Sequence, residues 1–315
     1  MRRGRGCLFH ERLIKVSLCS ALALIGFACG GGTTPSDPAH GSGSIPVVAH
    51  VFVLIEENHA YANVIGNSAM PYTNSLAARY ALATQYYANR HNSLPNYFML
   101  TVGDMVTTND LFTGVVTSDN VVRAVTAAGK TWKMYAESLP TPGYVGASVI
   151  PYGRDHNPFA YISDVLNSST QMANIVPFTQ LATDLTNNTL PDYAMIVPNL
   201  EDDGHDCPNE APLCTDTDKL VNVDQWIQTN LSGLIQSPAF QNSVLIYTWD
   251  ESVLTDVTNG GGHVATILIS PKVRSGFQST TVYQHQSALK LTMQLLGITD
   301  YPGAAATAPD MTEFF

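Results

Sequence analysis

Hydrophobic runs that end in polar residues recur along this chain. The run Val-Phe-Val-Leu-Ile at 51–55 is followed directly by Glu-Glu-Asn-His at 56–59. A short continuous run rich in β-branched residues predicts a strand buried on both faces. Strands are also predicted at 193–197 and 243–249, and each of these runs into acidic residues. Since ligands of open α/β sheets bind beyond the carboxyl ends of the strands, these polar groups are candidates for one shared site.

Segments with helical spacing of apolar residues alternate with the strands. The predicted helices cover residues 73–83, 120–128, 178–185, 220–235 and 285–296. Asp119 is the predicted N-cap of the second helix, and further strands are predicted at 131–135 and 264–269. Strands separated by helices indicate a three-layer α/β/α sandwich with a mostly parallel central sheet. Neither a repeat nor a second linker interrupts the sequence after residue 46, so 46–315 is predicted to be one catalytic domain.

The first 45 residues have a different composition. Basic residues precede a short apolar stretch at 16–28, which predicts an export signal over 1–29 rather than a membrane span. Cys29 is a candidate for lipid attachment, and cleavage with simple release is the alternative. Residues 30–45, rich in Gly, Ser and Pro, predict a flexible linker. The mature protein is therefore expected without a transmembrane span, and secreted, periplasmic or lipid-anchored to the cell envelope.

The net charge and the cysteine content restrict the classes of binding partner and the cellular compartment that the sequence predicts. The net charge of −11 and the pI near 5.1 argue against binding to nucleic acid or anionic membranes. Beyond the leader the chain has two cysteines, Cys207 and Cys214. In an exported protein this pair predicts a disulfide. A thiolate metal site is the weaker alternative, because four soft ligands are not available nearby.

Four oxygen-bearing residues follow two of the predicted strands. Glu57 and Asn58 follow the first, while Asp250 and Glu251 follow the strand at 243–249. If the two strands are neighbours, three carboxylates would converge and repel one another unless a cation lay between them. A hard divalent cation prefers such oxygen ligands. The alternative is that each acidic pair faces solvent or lies near a helix N-terminus.

Two further segments contain a histidine near the end of a predicted strand. Asp203 and His205 follow the strand at 193–197 and are candidates for metal ligands or for acid–base catalysis. His263 follows three glycines and precedes another strand, and the glycines allow close backbone approach. The alternatives are an acidic surface loop for Asp203 and His205, and an ordinary loop for the glycine run.

Ser93 is the candidate nucleophile. It is a predicted helix N-cap with Pro95 in the first turn, and phosphate groups also bind at helix N-termini. A neighbouring metal ion would lower the pKa of its hydroxyl group. An ordinary N-cap is the alternative. His156 and Asn157 precede a proline and either contact phosphoryl oxygens or form a turn.

Eight short motifs occur together and in a particular order. They are Ile55-Glu-Glu-Asn-His59, His91-Asn-Ser-Leu-Pro-Asn-Tyr97, Trp132-Lys-Met-Tyr-Ala-Glu137, His156-Asn-Pro-Phe159, Val197-Pro-Asn199 with Asp203-Gly-His-Asp206, Thr248-Trp-Asp-Glu251, His263-Val264 and His285-Gln-Ser287. Over residues 48–298 the chain resembles the phosphoesterase family of secreted acid phosphatases and bacterial phospholipases C, a branch of the alkaline-phosphatase superfamily. The resemblance implies an alkaline-phosphatase-like fold.

The resemblance also assigns roles to residues. It implies that one divalent metal ion, rather than two, is bound by Glu57, Asn58, Asp250 and Glu251, although the family also has Asp where this chain has Glu251. It implies that Ser93 forms a phosphoseryl intermediate and that Asn96 helps to hold the transferring group. Two-metal relatives keep a second ion at the positions of Asp203, His205 and His263. The complete set of expected catalytic residues is Ser93, His205, His156, Asn157, Asn96 and His91.

We therefore predict an exported, metal-dependent acid phosphatase in which His205 or His156 protonates the leaving oxygen. Its partner would be a small phosphate ester or a phospholipid head group. A phospholipase C or another phosphodiesterase on the same site is the first alternative, and a non-catalytic exported cation-binding protein is the second. A serine carboxylesterase is a third, weakened by the absence of a Gly-x-Ser-x-Gly motif around Ser93.

Overall fold

The computed structural model describes residues 43–315. The predicted export signal at 1–29, including Cys29, and most of the predicted linker at 30–45 lie outside these residues. Among the helices of the described part, none has the length and apolar character needed to cross a membrane.

A central sheet of eight strands organises residues 43–315. Its strand order is β5-β4-β6-β1-β7-β8-β2-β9, and β8 is the strand that runs antiparallel to both of its neighbours. The two remaining described strands, β3 and β10, form a separate parallel pair. The strand bounds are β1 His50–Glu56, β2 Ala81–Ala83, β3 Tyr86–Tyr87, β4 Trp132–Ala136, β5 Ile175–Pro177, β6 Tyr193–Val197, β7 Ser243–Trp249, β8 Thr266–Ile269, β9 Gln278–Ser279 and β10 Tyr283–Gln284.

Helices cover this sheet, and several of them pack against each other. Helix α2 contacts α8, and α3 contacts α9. The helix bounds are α1 Tyr61–Val64, α2 Pro71–Arg79, α3 Ser93–Thr101, α4 Val121–Ala127, α5 Ser163–Leu166, α6 Ser169–Met172, α7 Gln180–Asn187, α8 Asp216–Ile235 and α9 His285–Leu295. The predicted mixed α/β fold with a mostly parallel sheet is confirmed.

Two local predictions differ from the structure. The helix predicted over 73–83 ends at Arg79, and Ala81–Ala83 instead forms the short strand β2. These three residues are buried between β8 and β9, so tertiary pairing overrides their helical preference. The N-cap of α4 is Asn120, whose side chain accepts the Arg123 amide, while Asp119 pairs with the Arg123 guanidinium at the surface.

The sheet topology brings several chain segments to one edge. Strands β1, β6 and β7 are parallel neighbours, so their carboxyl ends lie together. Because β8 runs antiparallel to β7, the segment entering β8 starts at this same edge. The loop after β6 is closed by the predicted disulfide between Cys207 and Cys214, which is confirmed.

Candidate active site

Strands β1 and β7 deliver the central acids. The register pairs Glu56 with Trp249, so the residues that follow, Glu57 and Asp250, lie side by side. Asn58 adopts a left-handed backbone with a φ of 54°, and its N–H donates to Asp250 Oδ1 at 3.2 Å. Backbone strain of this kind persists where the surroundings impose it, and here it orients Asn58 toward the neighbouring strand.

Ser93 lies directly above these acids at the start of α3. The N-cap is Asn92, with a φ of 88°, and Ser93 is the first helical residue rather than the predicted cap. Its hydroxyl is therefore not used for capping and donates to Glu57 Oε2 at 2.9 Å. Asp110 accepts the Leu94 N–H at 3.0 Å and so takes the capping role. Sequence reasoning missed Asp110, because a lone acid in a loop gives no signal.

His91 and Asn92 hold the second acid of β7. His91 Nδ1 lies 2.6 Å from Glu251 Oε2, and the Asn92 N–H donates to the same oxygen at 3.1 Å. The other ring nitrogen of His91 donates to the Asp256 carbonyl oxygen at 2.7 Å. Both ring nitrogens are thus engaged, so His91 positions the Glu251 carboxylate.

His156 lies between two buried carboxylates. Its Nε2 is 3.4 Å from Glu57 Oε1, and its Nδ1 is 3.3 Å from Asp203 Oδ2. Burial disfavours the imidazolium, but the contact with Asp203 outweighs burial and raises the pKa of His156 to about 9. Tyr97 stacks on the imidazole ring at 5.3 Å and donates its hydroxyl to Glu57 Oε1 at 2.9 Å.

Tyr97 is a site residue to which sequence reasoning gave no role. It follows Ser93 by four positions, so the two side chains share one face of α3. That spacing was the signal available in the sequence. Both hydroxyls donate to the Glu57 carboxylate, one to each oxygen.

The converging acids make this site electrostatically unfavourable by itself. Burial raises the pKa of Glu57 well above its usual range, and repulsion from Asp250, Asp203 and Glu251 adds to this effect. Burial and the neighbouring Asp250 raise the pKa of Glu251 to about 9. Four buried carboxyl groups facing one another require protons or a cation to relieve their repulsion.

The donor atoms fit a hard divalent cation. Asp250 Oδ2 is buried and has no hydrogen-bond partner, an uncommon state for a carboxylate oxygen unless a ligand binds there. Glu57, His156 and Asp203 each offer one donor atom, and these atoms lie within 4.8 Å of one another. Oxygen-rich sets of this kind suit divalent cations.

An open cavity lies over these groups. Its volume is about 430 Å³, and Ser93, His156 and Glu251 line it. His205 lies at the same cavity with its side chain 44% exposed, and its Nδ1 is 2.9 Å from Asp206 Oδ1. Because the His205 N–H donates to Asp203 Oδ1 at 2.8 Å, the backbone holds this imidazole next to the acid cluster.

Three predicted site residues have other contacts. Asn96 is fully buried, and its amide group bonds the backbone of residues 89–92, so it braces the loop before Ser93. Asn157 caps a short 3-10 helix and bonds the Tyr152 hydroxyl. The ring of His263 stacks on Tyr61 and Tyr87, and its Nε2 bonds the Thr84 carbonyl oxygen.

The fold is similar to that of solved structures. A crystal structure of a protein in the alkaline phosphatase superfamily from Vibrio parahaemolyticus matches with a TM-score of 0.59 and 13% identity. The match covers 87% of this chain and 74% of that one. At this identity the similarity concerns the fold alone, and it agrees with the predicted alkaline-phosphatase-like architecture.

Sequence comparison gives nearer relatives. The chain is 30% identical to a phosphatidylinositol-3-phosphatase of Mycobacterium tuberculosis over 86% of its length and 84% of the relative's. It is 27% identical to a probable acid phosphatase of Kluyveromyces lactis over 76% of its length, but it spans only 56% of that protein. The sequence model of the Phosphoesterase family matches residues 67–299. This range includes Ser93, His156, Asp203 and Asp250. This chain belongs to the Phosphoesterase family.

Proposed function

We propose that this phosphoric ester hydrolase is an exported, metal-dependent acid phosphatase that cleaves phosphate monoesters through a phosphoserine. The carrying observation is the Ser93 hydroxyl, which lies 2.9 Å from Glu57 Oε2 in the wall of an open cavity above buried carboxylates. Family membership and relatives named acid phosphatase support the reaction class. The disulfide between Cys207 and Cys214 supports an oxidising compartment.

Glu57, Asn58, Asp250 and Glu251 would hold the metal ion. When bound, a divalent cation would neutralise the converging acids and lower the pKa of the Ser93 hydroxyl. One ion at these ligands leaves His156 free to pair with Asp203, and this contact favours the protonated imidazole. A second ion at Glu57, His156 and Asp203 would require His156 to lose that proton.

The chain's own groups would carry the transfer in two in-line steps. Ser93 Oγ gives its proton to Glu57 Oε2, the carboxylate oxygen to which it is hydrogen-bonded, and attacks phosphorus, while the bond to the ester oxygen breaks. His205, which is half-exposed and can exchange protons with solvent, protonates the departing oxygen. In its protonated form, the buried His156 would attract the phosphoryl oxygens as negative charge develops on them. Water then attacks the phosphoserine, which releases phosphate and restores the hydroxyl group.

Replacing the nucleophile tests this proposal. Ser93→Ala should lower monoester turnover by at least about 10³-fold, because the covalent step is lost. Ser75→Ala, at an exposed position on α2, is the matched control and should retain full activity. Near-complete activity of Ser93→Ala would refute the proposed nucleophile.

A phosphodiesterase of the phospholipase C type would use the same groups. The open cavity, with Val253 and Leu254 on its wall, leaves room for a second ester substituent. Measuring kcat/KM for a chromogenic monoester and for the matching diester separates the two functions. We expect the monoester to be preferred, and a preference for the diester would favour the alternative.

A further inference from the structure

Exposed hydrophobic side chains are concentrated around the cavity. Residues 43–315 contain ten large hydrophobic side chains that are exposed, and seven of these lie on four loops near the edge of the sheet that carries the candidate site. We call these seven the apolar rim. Its members, with their exposed fractions, are Leu111 (83%), Val115 (56%), Val149 (49%), Ile150 (69%), Leu213 (90%), Leu254 (77%) and Val257 (67%).

Structural links place the rim loops around the mouth of the cavity. Leu254 lines the cavity itself. An adjoining depression shares Asp110 and Asp155 with the cavity and extends to Leu111 and Ser148, next to Val149. These loops therefore border one opening.

The remaining rim loops are attached to the same edge. Residues Val149 and Tyr152 pair in a tight hairpin that exposes Ile150 at its tip. The carbonyl oxygen of Pro151 in this hairpin accepts the Leu200 N–H at 3.0 Å, which joins it to the loop after β6. The disulfide that closes that loop also fixes Leu213, the most exposed residue of the rim.

The rim loops carry few basic residues. The segments 111–117, 143–153, 207–214 and 252–259 together contain two charged residues, Glu210 and Asp256. Asp256 is used internally, because its carboxylate accepts the His263 and Thr258 amides. The charged residues that flank these segments and line the cavity or the adjoining depression are three acids and one base, Asp110, Asp155, Glu251 and Arg154. The rim thus offers hydrophobic contact beside acids and without a basic patch, so its complement is an apolar surface that is not anionic.

We propose that the apolar rim inserts into the surface of a zwitterionic lipid bilayer, so that the cavity opens on a lipid-borne phosphate monoester. Leucine, isoleucine and valine side chains on short loops can enter the boundary between head groups and acyl chains, where apolar burial supplies the binding free energy. The lack of basic residues on the rim loops disfavours anionic lipid as the main attraction. This inference rests on the proposed monoesterase function for its substrate, although the docking itself does not.

Vesicle binding by the full protein tests the docking. The wild-type protein should float with phosphatidylcholine vesicles, and the double variant Ile150→Ser with Leu213→Ser should bind at least about tenfold more weakly. Neither residue lines the cavity. The matched control changes two exposed hydrophobic residues outside the rim, Val47→Ser with Val282→Ser, and should bind like the wild type.

Activity measurements complete the test. On phosphatidylcholine vesicles that contain phosphatidic acid, the rim variant should lose kcat/KM in proportion to binding, while hydrolysis of a water-soluble monoester stays unchanged. Soluble-monoester turnover without vesicle binding by the wild type would overturn the docking and leave the proposed function standing. Rim-dependent vesicle binding without monoester turnover would refute the function alone. A rim variant that changes the oligomeric state but not vesicle binding would also overturn the docking.

Discussion

Replacing one acid of the site should stabilise the metal-free protein. Glu251 is 3% exposed, and burial together with Asp250 raises its pKa from 4.5 to about 9. Because the folded state holds this proton more tightly than the unfolded state, the folded protein loses stability as the pH rises between these two values. The loss in free energy of unfolding is absent below pH 4.5, grows as the pH rises from 4.5 to about 9, and is complete above about pH 9.

The size of this loss of stability follows from the difference between the ordinary and the raised pKa of Glu251. Each pH unit above 4.5 costs about 1.36 kcal/mol, so the cost near pH 7.5 has an upper value of about 4 kcal/mol. The hydrogen bond from the Asn92 N–H favours the carboxylate and limits the cost. Glu251→Gln keeps the shape and an acceptor oxygen for the Asn92 N–H. We expect it to raise the free energy of unfolding in the presence of chelator by roughly 2 kcal/mol.

Urea unfolding in the presence of chelator measures this prediction. Curves for the wild type and Glu251→Gln should coincide near pH 4.5 and diverge as the pH rises, with the variant more stable. Glu210→Gln, an exposed acid, is the charge-matched control and should follow the wild type. A divalent cation should stabilise the wild type more than Glu251→Gln. Parallel pH profiles for the wild type and Glu251→Gln would refute the argument from converging acids.

Three further predictions concern the metal ion, the loop before the nucleophile and the disulfide. Dialysis against a chelator should abolish monoester hydrolysis, and the return of single divalent ions should identify the one that restores it. Asn96→Ala should lower the free energy of unfolding by about 1–3 kcal/mol in urea titrations, since it leaves partly buried backbone groups of residues 89–92 without their partner. It should lower kcat as well. Cys207→Ser with Cys214→Ser opens a small loop and should cost about 2.5 kcal/mol in the same titrations while soluble-monoester turnover persists.

The sequence predicted the inner part of the sheet well. Strands β6 and β7 have the predicted bounds, because continuous apolar runs bounded by polar residues have few other structures available. The short strand β2 was not predicted, since Ala81–Ala83 continues a helical pattern and becomes a strand through pairing with β8 and β9. A three-residue strand carries too little pattern of its own.

The site was predictable where its residues follow strands. Glu57 and Asp250 lie together because β1 and β7 are parallel neighbours, as the strand-end argument requires. Contacts that depend on loop conformation could not be read from spacing. The left-handed backbone of Asn92, which releases Ser93 from capping, is one example. The stacking of His263 on Tyr61 is another, because ring packing leaves no trace in a linear pattern.

The pairing of β1 with β7 has a consequence for how the protein would respond to loss of its ion. Asn58 and Asp250 are 192 residues apart in sequence, yet they face each other across the central strands. A cation bound by Asn58, Asp250 and the acids beside them would act as a reversible cross-link between distant parts of the chain. This link is possible only after β1 and β7 have paired. The ion would therefore bind the folded state only, and it would stabilise the centre of the sheet more than its edges.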